Sequence, residues 1–364
     1  MELNILVLPG DGIGPEITAE AVKVLEAVCA ARGHALALGT GLIGGASLEA
    51  TGEPVSAATL AAAQAADAVL LGAVGLPKFD GLPPAKRAER GLLDLRKAMG
   101  VFANLRPVKA HPALHGASPL KEERVAGTDL LILRELTGGL YFGQPRALEG
   151  TGTARRAFNT LPYAYDEIAR VAVLAFELAR GRRRKVTSVD KANVLETSQL
   201  WRQVVTEIAA GYPDVALDHL YVDNASMQLV LNPRSFDVLL TENLFGDILS
   251  DEAAVLAGSI GLLPSGSLGA RRPDGTVPGL YEPIHGSAPD LAGKGVANPL
   301  GTIGSVAAML DWSFGLKAEA AAVEEAVAHV LEHGPCTPDL PGGKGTTAAV
   351  GDAVRTRILK TMGA

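Results

Sequence analysis

Cysteine is scarce in this sequence, and a long apolar run is missing. The two cysteines, Cys29 and Cys336, lie far apart and outside any metal-binding or redox motif, so neither a disulfide framework nor a zinc site is indicated and a reducing compartment is expected. The N-terminus lacks a signal-peptide pattern, and no apolar run reaches the ~20 residues of a membrane span. These absences predict a soluble, cytoplasmic protein.

An excess of positive charge is also missing. The sequence has 33 Lys and Arg residues against 40 Asp and Glu residues, a formal net charge of −7. Without an overall positive field, neither nucleic acid nor a membrane surface is expected as a partner, and an anionic substrate would need a local pocket of Arg or Lys. The one dense basic run, 180–185, is typical of solvated cations at a helix C-terminus, with targeting or RNA binding as the alternative.

What the sequence does contain is a regular alternation of strand-like and helix-like segments. Its 364 residues favour two domains. The apolar residues 4–8 precede a glycine-rich turn and a helical pattern from Pro15, and Ser56 is the predicted N-cap of a helix that leads into a buried strand. This buried strand is predicted at 68–71, further strands at 130–134 and 236–241, and further helices at 164–180, 198–210 and 247–257. This alternation predicts an α/β fold with a substantially parallel sheet.

Three glycine-rich segments resemble nucleotide-binding motifs, and we reject each of them. Residues 39–44 (GTGLIG) match the dinucleotide fingerprint G-x-G-x-x-G, but the residues that follow have a loop-like composition instead of opening a helix. Residues 10–14 (GDGIG) have another spacing and predict a tight turn, with backbone contact to a ligand as the alternative. In 342–347 (GGKGTT), Gly345 stands where a P-loop needs Ser or Thr, so a surface loop is predicted.

Three aspartates and a lysine form the best candidate for chemistry. Asp247 and Asp251 lie four residues apart near the predicted start of a helix, so they share one face. Alone, this pair is also explained by the favourable placement of acidic residues in a first helical turn. Asp223 and Lys191 each follow a strand-like run, the position from which α/β sheets deliver side chains to ligands. Oxygen donors without Cys or His suit Mg²⁺ or Mn²⁺.

Arginines and a tyrosine accompany this group. Arg96, Arg106 and Arg134 offer guanidinium groups that would bind the carboxylates of a small acid, although each alone fits a structural ion pair. Tyr141 lies in a glycine-rich turn where its phenol could be exposed as an acid, with ordinary packing as the alternative.

In order along nearly the whole chain, a series of motifs resembles the isocitrate/isopropylmalate dehydrogenase family of β-decarboxylating dehydrogenases. The motifs are LPGDGIGPE, GLLDLRK, FANLRP, RELTGGLYFG, SVDKANVLE, YVDNASMQL, NLFGDILSDEAA and HGSAPDLAGKGVANP. The resemblance implies an α/β, two-domain, non-Rossmann fold with a mixed, largely parallel central sheet. It implies a cofactor-binding domain at 1–101 plus 258–364, and a domain for substrate, metal and dimerisation at 102–257.

The resemblance also implies a role for each candidate residue. Lys191 would be the base that assists removal of the hydroxyl proton, and Tyr141 the acid that protonates the enolate after loss of the β-carboxylate. The implied ligands of Mg²⁺ or Mn²⁺ are Asp223, Asp247 and Asp251. The residues implied to hold the substrate are Leu92, Leu93, Arg96, Arg106, Arg134 and Asp223. The residues implied to hold NAD are Leu76, Glu89, His285, Gly286, Ser287, Ala288, Pro289, Asp290 and Asn298.

Two features of the resemblance bear on specificity. Asp290 matches the family's NAD-selecting acid, since a carboxylate accepts a hydrogen bond from the ribose 2′-hydroxyl and repels a 2′-phosphate. Leu92 and Leu93 match an apolar wall for an isopropyl group, with an ordinary helix core as the alternative. The implied activity is the oxidative decarboxylation of 3-isopropylmalate to 2-oxoisocaproate in leucine biosynthesis, by a homodimer in which Lys191 enters the partner's site. A D-malate or tartrate dehydrogenase and an inactive metabolite-binding protein stay open as alternatives.

Overall fold

Strands and helices alternate along the chain in the computed structural model, which describes residues 1–273 and 275–363. The strands are β1 Glu2–Gly10, β2 Ala35–Thr40, β3 Ala68–Ala73, β4 Ala103–Lys109, β5 Asp129–Glu135, β6 Ala147–Glu149, β7 Arg156–Phe158, β8 Lys185–Asp190, β9 Ala216–Tyr221, β10 Val238–Thr241, β11 Pro264–Leu268 and β12 Gly279–Pro283. The helices are α1 Gly14–Arg32, α2 Gly44–Thr51, α3 Ala57–Ala65, α4 Ala88–Met99, α5 Glu122–Val125, α6 Tyr165–Arg180, α7 Glu196–Ala209, α8 Val222–Leu231, α9 Asn243–Ala254, α10 Leu300–Trp312, α11 Lys317–His333 and α12 Thr347–Met362. Within these described ranges, no helix is both long enough and apolar enough to cross a membrane.

The chain forms two units. The first consists of 1–101, 111–119 and 257–364, and the second of 102–110 and 120–256. The predicted boundaries placed residues 111–119 in the domain 102–257. In the structure this segment instead packs on the first unit. There, His111 Nε2 lies 3.8 Å from Glu332 Oε1, and Ala117 lies so close to Gly258 that a Cβ at 258 would be 2.9 Å from it. The assignment of cofactor to one unit and of substrate to the other stays a prediction.

The sheet strands of the first unit follow the order β2-β1-β3-β12-β11. β1 is parallel to β2 and β3, and β12 is parallel to β3, whereas β11 is antiparallel to β12. Side chains from both faces of the central strands, such as Ile5, Leu8 and Leu70, are fully buried, as expected for parallel strands covered by helices. This order, with an antiparallel pair, differs from the all-parallel order of a Rossmann sheet.

The second unit repeats this mixed arrangement. Its strand order is β4-β5-β10-β8-β9, with β4 antiparallel to β5 and the other neighbours parallel, and β6 and β7 form a separate hairpin. Apolar residues of these strands and of α8 and α9 build one core, in which Ile132, Leu239 and Leu249 are fully buried. The prediction of an α/β fold with mixed, largely parallel pairing is therefore confirmed.

The GTGLIG segment has a different setting from the predicted one. The residues after it do not form a loop, because α2 begins at Gly44, shortly after β2 ends at Thr40. The first N–H groups of α2 are nevertheless already bonded: Gly44 donates to the Pro54 carbonyl, and Gly45 and Ala46 donate to the buried Asp11 carboxylate at 2.8 Å. Our reason for rejecting the dinucleotide fingerprint was wrong, but these N–H groups are engaged and do not offer a pyrophosphate site.

The basic run 180–185 follows the end of α6 as predicted, with Arg180, Arg183 and Arg184 exposed, and it also forms ion pairs that the sequence did not indicate. Arg180 donates from Nε and Nη2 to Asp214 at 3.0 and 2.8 Å. Arg182 bonds the carboxylate of the buried Asp237 at 2.8 Å and that of Asp129 at 2.6 Å. The run therefore ties the end of α6 to the starts of neighbouring strands.

Candidate active site

Helix α9 carries Asp247 and Asp251 further from its start than the sequence pattern predicts. The helix begins at Asn243, so Asp247 is its fifth residue and Asp251 its ninth. The capping residue is Glu242, whose carboxylate accepts a hydrogen bond from the Phe245 N–H at 2.6 Å. Because the helix dipole acts mainly within the first turn, it does not explain this pair of aspartates. The explanation of the pair as acidic residues of a first helical turn is therefore wrong.

The side chain of Arg134, on β5, bonds two residues of α9 through three nitrogen atoms. Its Nη1 donates to Asp247, and its Nε and Nη2 donate to Asn243 Oδ1 at 3.0 and 2.7 Å. A Cβ at Gly246 would lie 2.6 Å from Arg134 Cγ, so glycine is needed there for the arginine to approach. Asn243 and Gly246 thus set the direction of the guanidinium group.

Arg106, on β4, binds the same helix. Its Nη1 donates to Asp251 Oδ1 at 3.0 Å and to Ser250 Oγ at 2.7 Å. Its Nη2 lies 3.6 Å from Asp247 Oδ1. Two of the predicted substrate arginines and two of the predicted metal ligands therefore form one charged cluster.

Tyr141 belongs to this cluster. It ends a short turn at 139–141, is 41% exposed, and donates its hydroxyl to Asp247 Oδ2 at 2.9 Å. The Arg134 guanidinium lies 5.6 Å from the centre of its ring. Partial burial, followed by the bond to Asp247, raises the pKa of the phenol above its ordinary value. The phenol therefore keeps its proton at neutral pH, as a proton donor must.

Lys191 and Asp223 form a second pair in the same unit. Lys191 directly follows β8 and Asp223 follows the parallel neighbour β9, so both side chains lie at the carboxyl ends of adjacent strands. Lys191 Nζ donates to Asp223 Oδ1 at 2.6 Å, and this bond lowers the pKa of the Asp223 carboxyl. The turn is fixed by the buried Asp190, whose carboxylate accepts two bonds from Arg202 at 2.8 and 2.9 Å.

The predicted metal ligands do not all meet within one chain. In the part of the chain that the structure describes, no three His, Cys, Asp or Glu side chains form a group that could hold a metal ion. Asp247 and Asp251 share Arg106, whereas Asp223 pairs with Lys191. The side chains of Asp223 and Asp251 are 63% and 66% exposed, so both carboxylates are accessible to a further partner.

The remaining predicted substrate residues lie on α4 in the first unit. Leu92 and Leu93 are half-buried, whereas Leu95 is fully buried and supplies the helix's core contact. Arg96 Nη2 donates to Glu282 at 2.7 Å, and its Nε is buried without a hydrogen-bond partner among the described residues. The two leucines are therefore not needed to fill the core centre, and Arg96 keeps donor capacity.

Several predicted cofactor residues lie close together in the first unit. The Ser287 hydroxyl donates to the Gly75 carbonyl at 2.6 Å, immediately before Leu76. A Cβ at Gly75 would lie 3.4 Å from a carboxylate oxygen of Glu89. The structure thus brings the start of the loop with Leu76 beside both Ser287 and Glu89.

The rest of the predicted cofactor segment, 285–298, is held at both ends. His285 Nδ1 lies 2.9 Å from the Gly286 carbonyl, and burial lowers the pKa of the imidazole, which favours its neutral form. Asn298 donates from Nδ2 to Asp339 at 3.0 Å. Between these anchors, Pro289 and Asp290 are exposed to solvent.

One buried residue of this region was missed by the sequence analysis. Asp11, within the glycine-rich turn 10–14, is only 3% exposed and accepts three backbone N–H groups. A carboxylate between glycines, at the junction of a strand and a helix, was the available signal, but we considered only the backbone of this turn and not the Asp11 side chain.

These features define an α/β enzyme whose second unit gathers carboxylates, guanidinium groups, a phenol and a lysine suited to a small carboxylic acid. The family model described as isocitrate/isopropylmalate dehydrogenase matches residues 4–354. The chain therefore belongs to the isocitrate/isopropylmalate dehydrogenase family.

Curated relatives and solved structures agree with this membership. The chain is 57% identical to the 3-isopropylmalate dehydrogenase of Anaeromyxobacter dehalogenans, covering 98% of this chain and 100% of that one. It is 55% identical to the 3-isopropylmalate dehydrogenase of Nitratidesulfovibrio vulgaris, with the same coverage. Among solved structures, isocitrate dehydrogenase from Methylococcus capsulatus superimposes with a TM-score of 0.84 at 36% identity, covering 97% and 98%. A β-decarboxylating dehydrogenase from Thermococcus kodakarensis gives 0.80 at 36% identity, covering 99% and 97%.

Proposed function

We propose that this chain oxidises and decarboxylates 3-isopropylmalate to 2-oxoisocaproate with reduction of NAD, a step of leucine biosynthesis. The observation that carries the proposal is the cluster of Tyr141, Arg106 and Arg134 on Asp247 and Asp251, in a member of this family. Two of its relatives above 50% identity are named 3-isopropylmalate dehydrogenases, which favours this substrate over isocitrate.

The positive charges of the arginines support the proposed substrate binding. Arg106 and Arg134 present several N–H donors on one side of α9, and a guanidinium group binds a carboxylate through two parallel bonds. Arg96 would add a third cation. Half-buried Leu92 and Leu93 would face the isopropyl group, whose removal from water is favourable.

The donor set fits a divalent cation. Asp223, Asp247 and Asp251 offer only carboxylate oxygens, the ligands that Mg²⁺ and Mn²⁺ prefer. Arg106 and Arg134 now balance the charges of Asp247 and Asp251. We propose that the three aspartates hold Mg²⁺ or Mn²⁺, a Lewis acid that favours the enolate formed when CO₂ leaves.

The chain's own groups would move the protons. Lys191 would take the proton of the substrate hydroxyl, and NAD, when bound, would accept the hydride from the same carbon. The bond to the β-carboxylate then breaks, CO₂ leaves, and its electron pair forms the enolate. Tyr141, protonated at neutral pH, donates its proton to the enolate carbon.

The cofactor would be NAD, held by Leu76, Glu89 and 285–298. The exposed carboxylate of Asp290 is available to accept a hydrogen bond from a ribose 2′-hydroxyl and would repel the additional phosphate of NADP. NAD is therefore the proposed electron acceptor.

A homodimer would complete the site. Lys191 and Asp223 form a group separate from Asp247 and Asp251, so we propose that the two groups meet across a two-fold axis. The helices that carry the aspartates expose large apolar side chains, namely Met227, Val230 and Leu231 on α8 and Ile248 on α9. Exposed apolar residues grouped on neighbouring elements are typical of protein interfaces.

Two free cysteines agree with the proposed cytoplasmic location.

The decisive experiment follows NADH absorbance with 3-isopropylmalate. We expect turnover with Mg²⁺ or Mn²⁺, loss of turnover with a chelator, and recovery when the cation is added back. Replacing NAD by NADP should lower kcat/KM. Equal kcat/KM for D-malate and 3-isopropylmalate would contradict the substrate assignment, and turnover unaffected by chelator would contradict the cation.

A further inference from the structure

The side chain of Asp11 connects three separate segments of the first unit. Asp11 directly follows β1, and its Oδ2 accepts hydrogen bonds from the N–H groups of Gly45 and Gly75, each at 2.8 Å. Its Oδ1 accepts the N–H of Ala46 at 2.8 Å. With 3% of its surface exposed, Asp11 makes these bonds away from bulk water, where an unmet N–H is costly.

These bonds continue into a closed ring. Gly75 is bonded through both of its backbone polar groups. Its N–H donates to Asp11, and its carbonyl accepts a hydrogen bond from Ser287 Oγ at 2.6 Å. The Ser287 carbonyl in turn accepts the N–H of Ile13 at 2.8 Å, two residues from Asp11. The ring therefore joins the turn 10–14, the start of the loop with Leu76, and the segment 285–298.

The neighbouring backbone leaves little freedom around this ring. A Cβ at Gly44 would lie 2.4 Å from Asp11 Oδ2, and a Cβ at Gly12 would lie 2.0 Å from the Ser287 carbonyl oxygen. Ala288, next to Ser287, has a φ of 36°, a left-handed conformation that a residue other than glycine keeps only where its surroundings impose it. The ring thus fixes a strained turn inside the proposed cofactor segment.

We propose that Asp11 is a positioning residue for the dinucleotide: it holds the loop that starts at Gly75 and the turn at Ser287 in their binding arrangement before NAD arrives. This inference rests on the proposed function, which assigns both segments to NAD. Asp11 acts through backbone N–H groups of the first unit, whereas the proposed reacting groups, Lys191 and Tyr141, belong to the second unit. Its effect should therefore fall on NAD binding, with little effect on the chemical step.

Asp11→Asn tests this role with almost no change in volume. An amide has one acceptor oxygen, and its NH₂ group would face an N–H donor, so three bonds cannot all be kept. We expect the Kd and KM for NAD to rise roughly tenfold, the equivalent of about one lost hydrogen bond, while kcat at saturating NAD and the KM for 3-isopropylmalate stay within about twofold. The Kd is measured by titration calorimetry on the enzyme without substrate.

Asp67→Asn is the matched control. Asp67 precedes β3 and accepts the Asn4 N–H at 3.0 Å, so it joins the same strands at their opposite ends. Amide hydrogen exchange without NAD should show lost protection at Gly45, Ala46 and Gly75 in Asp11→Asn alone. An equal rise of the NAD Kd in both variants, or an unchanged Kd in Asp11→Asn, would overturn the proposal.

Ser287→Ala covers the case in which Asp11→Asn does not fold. It frees the Gly75 carbonyl and should raise the NAD Kd in the same direction, with unchanged 3-isopropylmalate binding; an unchanged NAD Kd would contradict the inference. Measurements on the wild-type enzyme distinguish failure of the proposed function from failure of the inference about Asp11. If it does not bind NAD at all, the proposed function fails, whereas wild-type binding with unaltered variants refutes only the role of Asp11.

Discussion

Lys191 and Lys185 offer a matched pair for testing the proposed base. Lys191 directly follows β8 and pairs with Asp223, just after β9, at 2.6 Å. Lys185 is the first residue of β8 and pairs with Asp218, within β9, at 2.8 Å. Lys191→Met removes the amine but keeps the length of the side chain. We expect kcat to fall by about 10²–10⁴-fold, with the Kd for 3-isopropylmalate nearly unchanged.

Steady-state NADH formation and a separate binding titration measure the two quantities. Lys185→Met should keep wild-type kcat, since its ion pair lies at the opposite end of the strand. Turnover retained in Lys191→Met would exclude this lysine as the base.

The three leucines of α4 separate substrate specificity from core packing. Leu92→Ala and Leu93→Ala should lower kcat/KM for 3-isopropylmalate by about 10- to 100-fold and change kcat/KM for D-malate far less, because only the first substrate has an isopropyl group to bury. Leu95→Ala should instead cost about 2–5 kcal/mol of unfolding free energy, since Leu95 is fully buried, and leave the substrate ratio unchanged.

Kinetics with both substrates and chemical denaturation of all three variants check this division. If only Leu95→Ala changed the ratio of kcat/KM for 3-isopropylmalate to that for D-malate, the residue that contacts the isopropyl group would lie elsewhere on the helix than Leu92 and Leu93.

At the scale of elements, the cap of α9 makes stability depend on pH. Glu242 is 5% exposed, and burial raises the pKa of its carboxyl above the ordinary value even though it accepts the Phe245 N–H. Ionisation therefore costs more in the folded chain than in the unfolded chain. The contribution of Glu242 to stability falls as pH rises from the unfolded pKa to the higher folded pKa, and is constant above both.

Glu242→Gln keeps an acceptor oxygen but cannot ionise. Its unfolding free energy, relative to that of the wild type, should increase with pH across this window and then level off. Urea denaturation at a series of pH values from 4 to 8 measures the difference. A difference that does not change with pH would show that the cap ionises equally easily in both states.

Elements formed by local patterns could be predicted, and those that depend on distant partners could not. The N-cap at Ser56 is local, and its hydroxyl accepts the Thr59 N–H at 3.1 Å as expected. Helix α2 was missed because its glycine-rich start is held by Asp11, 34 residues earlier in the chain. The start of α9 was placed four residues too late because Asp247 resembled a first-turn acid, whereas the true cap is Glu242.

The same distinction applies to the site. Residue types and the family resemblance indicated Arg106 and Asp251, but these residues are 145 positions apart, so no spacing rule predicts that they bond each other. The bond between Arg96 and Glu282, 186 positions apart, was likewise not predictable from the sequence. Strand order brings such pairs together, and strand order was not available from composition or periodicity.

At the scale of the whole molecule, the proposed dimer makes a strict prediction about where the two reacting groups reside. If Lys191 and Asp223 of one chain complete the site of Asp247, Asp251 and Tyr141 of the other, each site needs both chains. Lys191→Met and Asp251→Asn should each be inactive as pure homodimers. A mixed dimer of the two variants would then contain one site with both substitutions and one intact site.

Co-refolding equal amounts of the two inactive variants should therefore restore activity. Random pairing makes half of the dimers mixed, each with one of two sites intact, so the mixture should recover about one quarter of wild-type activity. Refolding each variant alone under the same conditions is the control. If both groups acted within the same chain, every site in the mixture would carry one substitution, and the mixture would stay as inactive as its components.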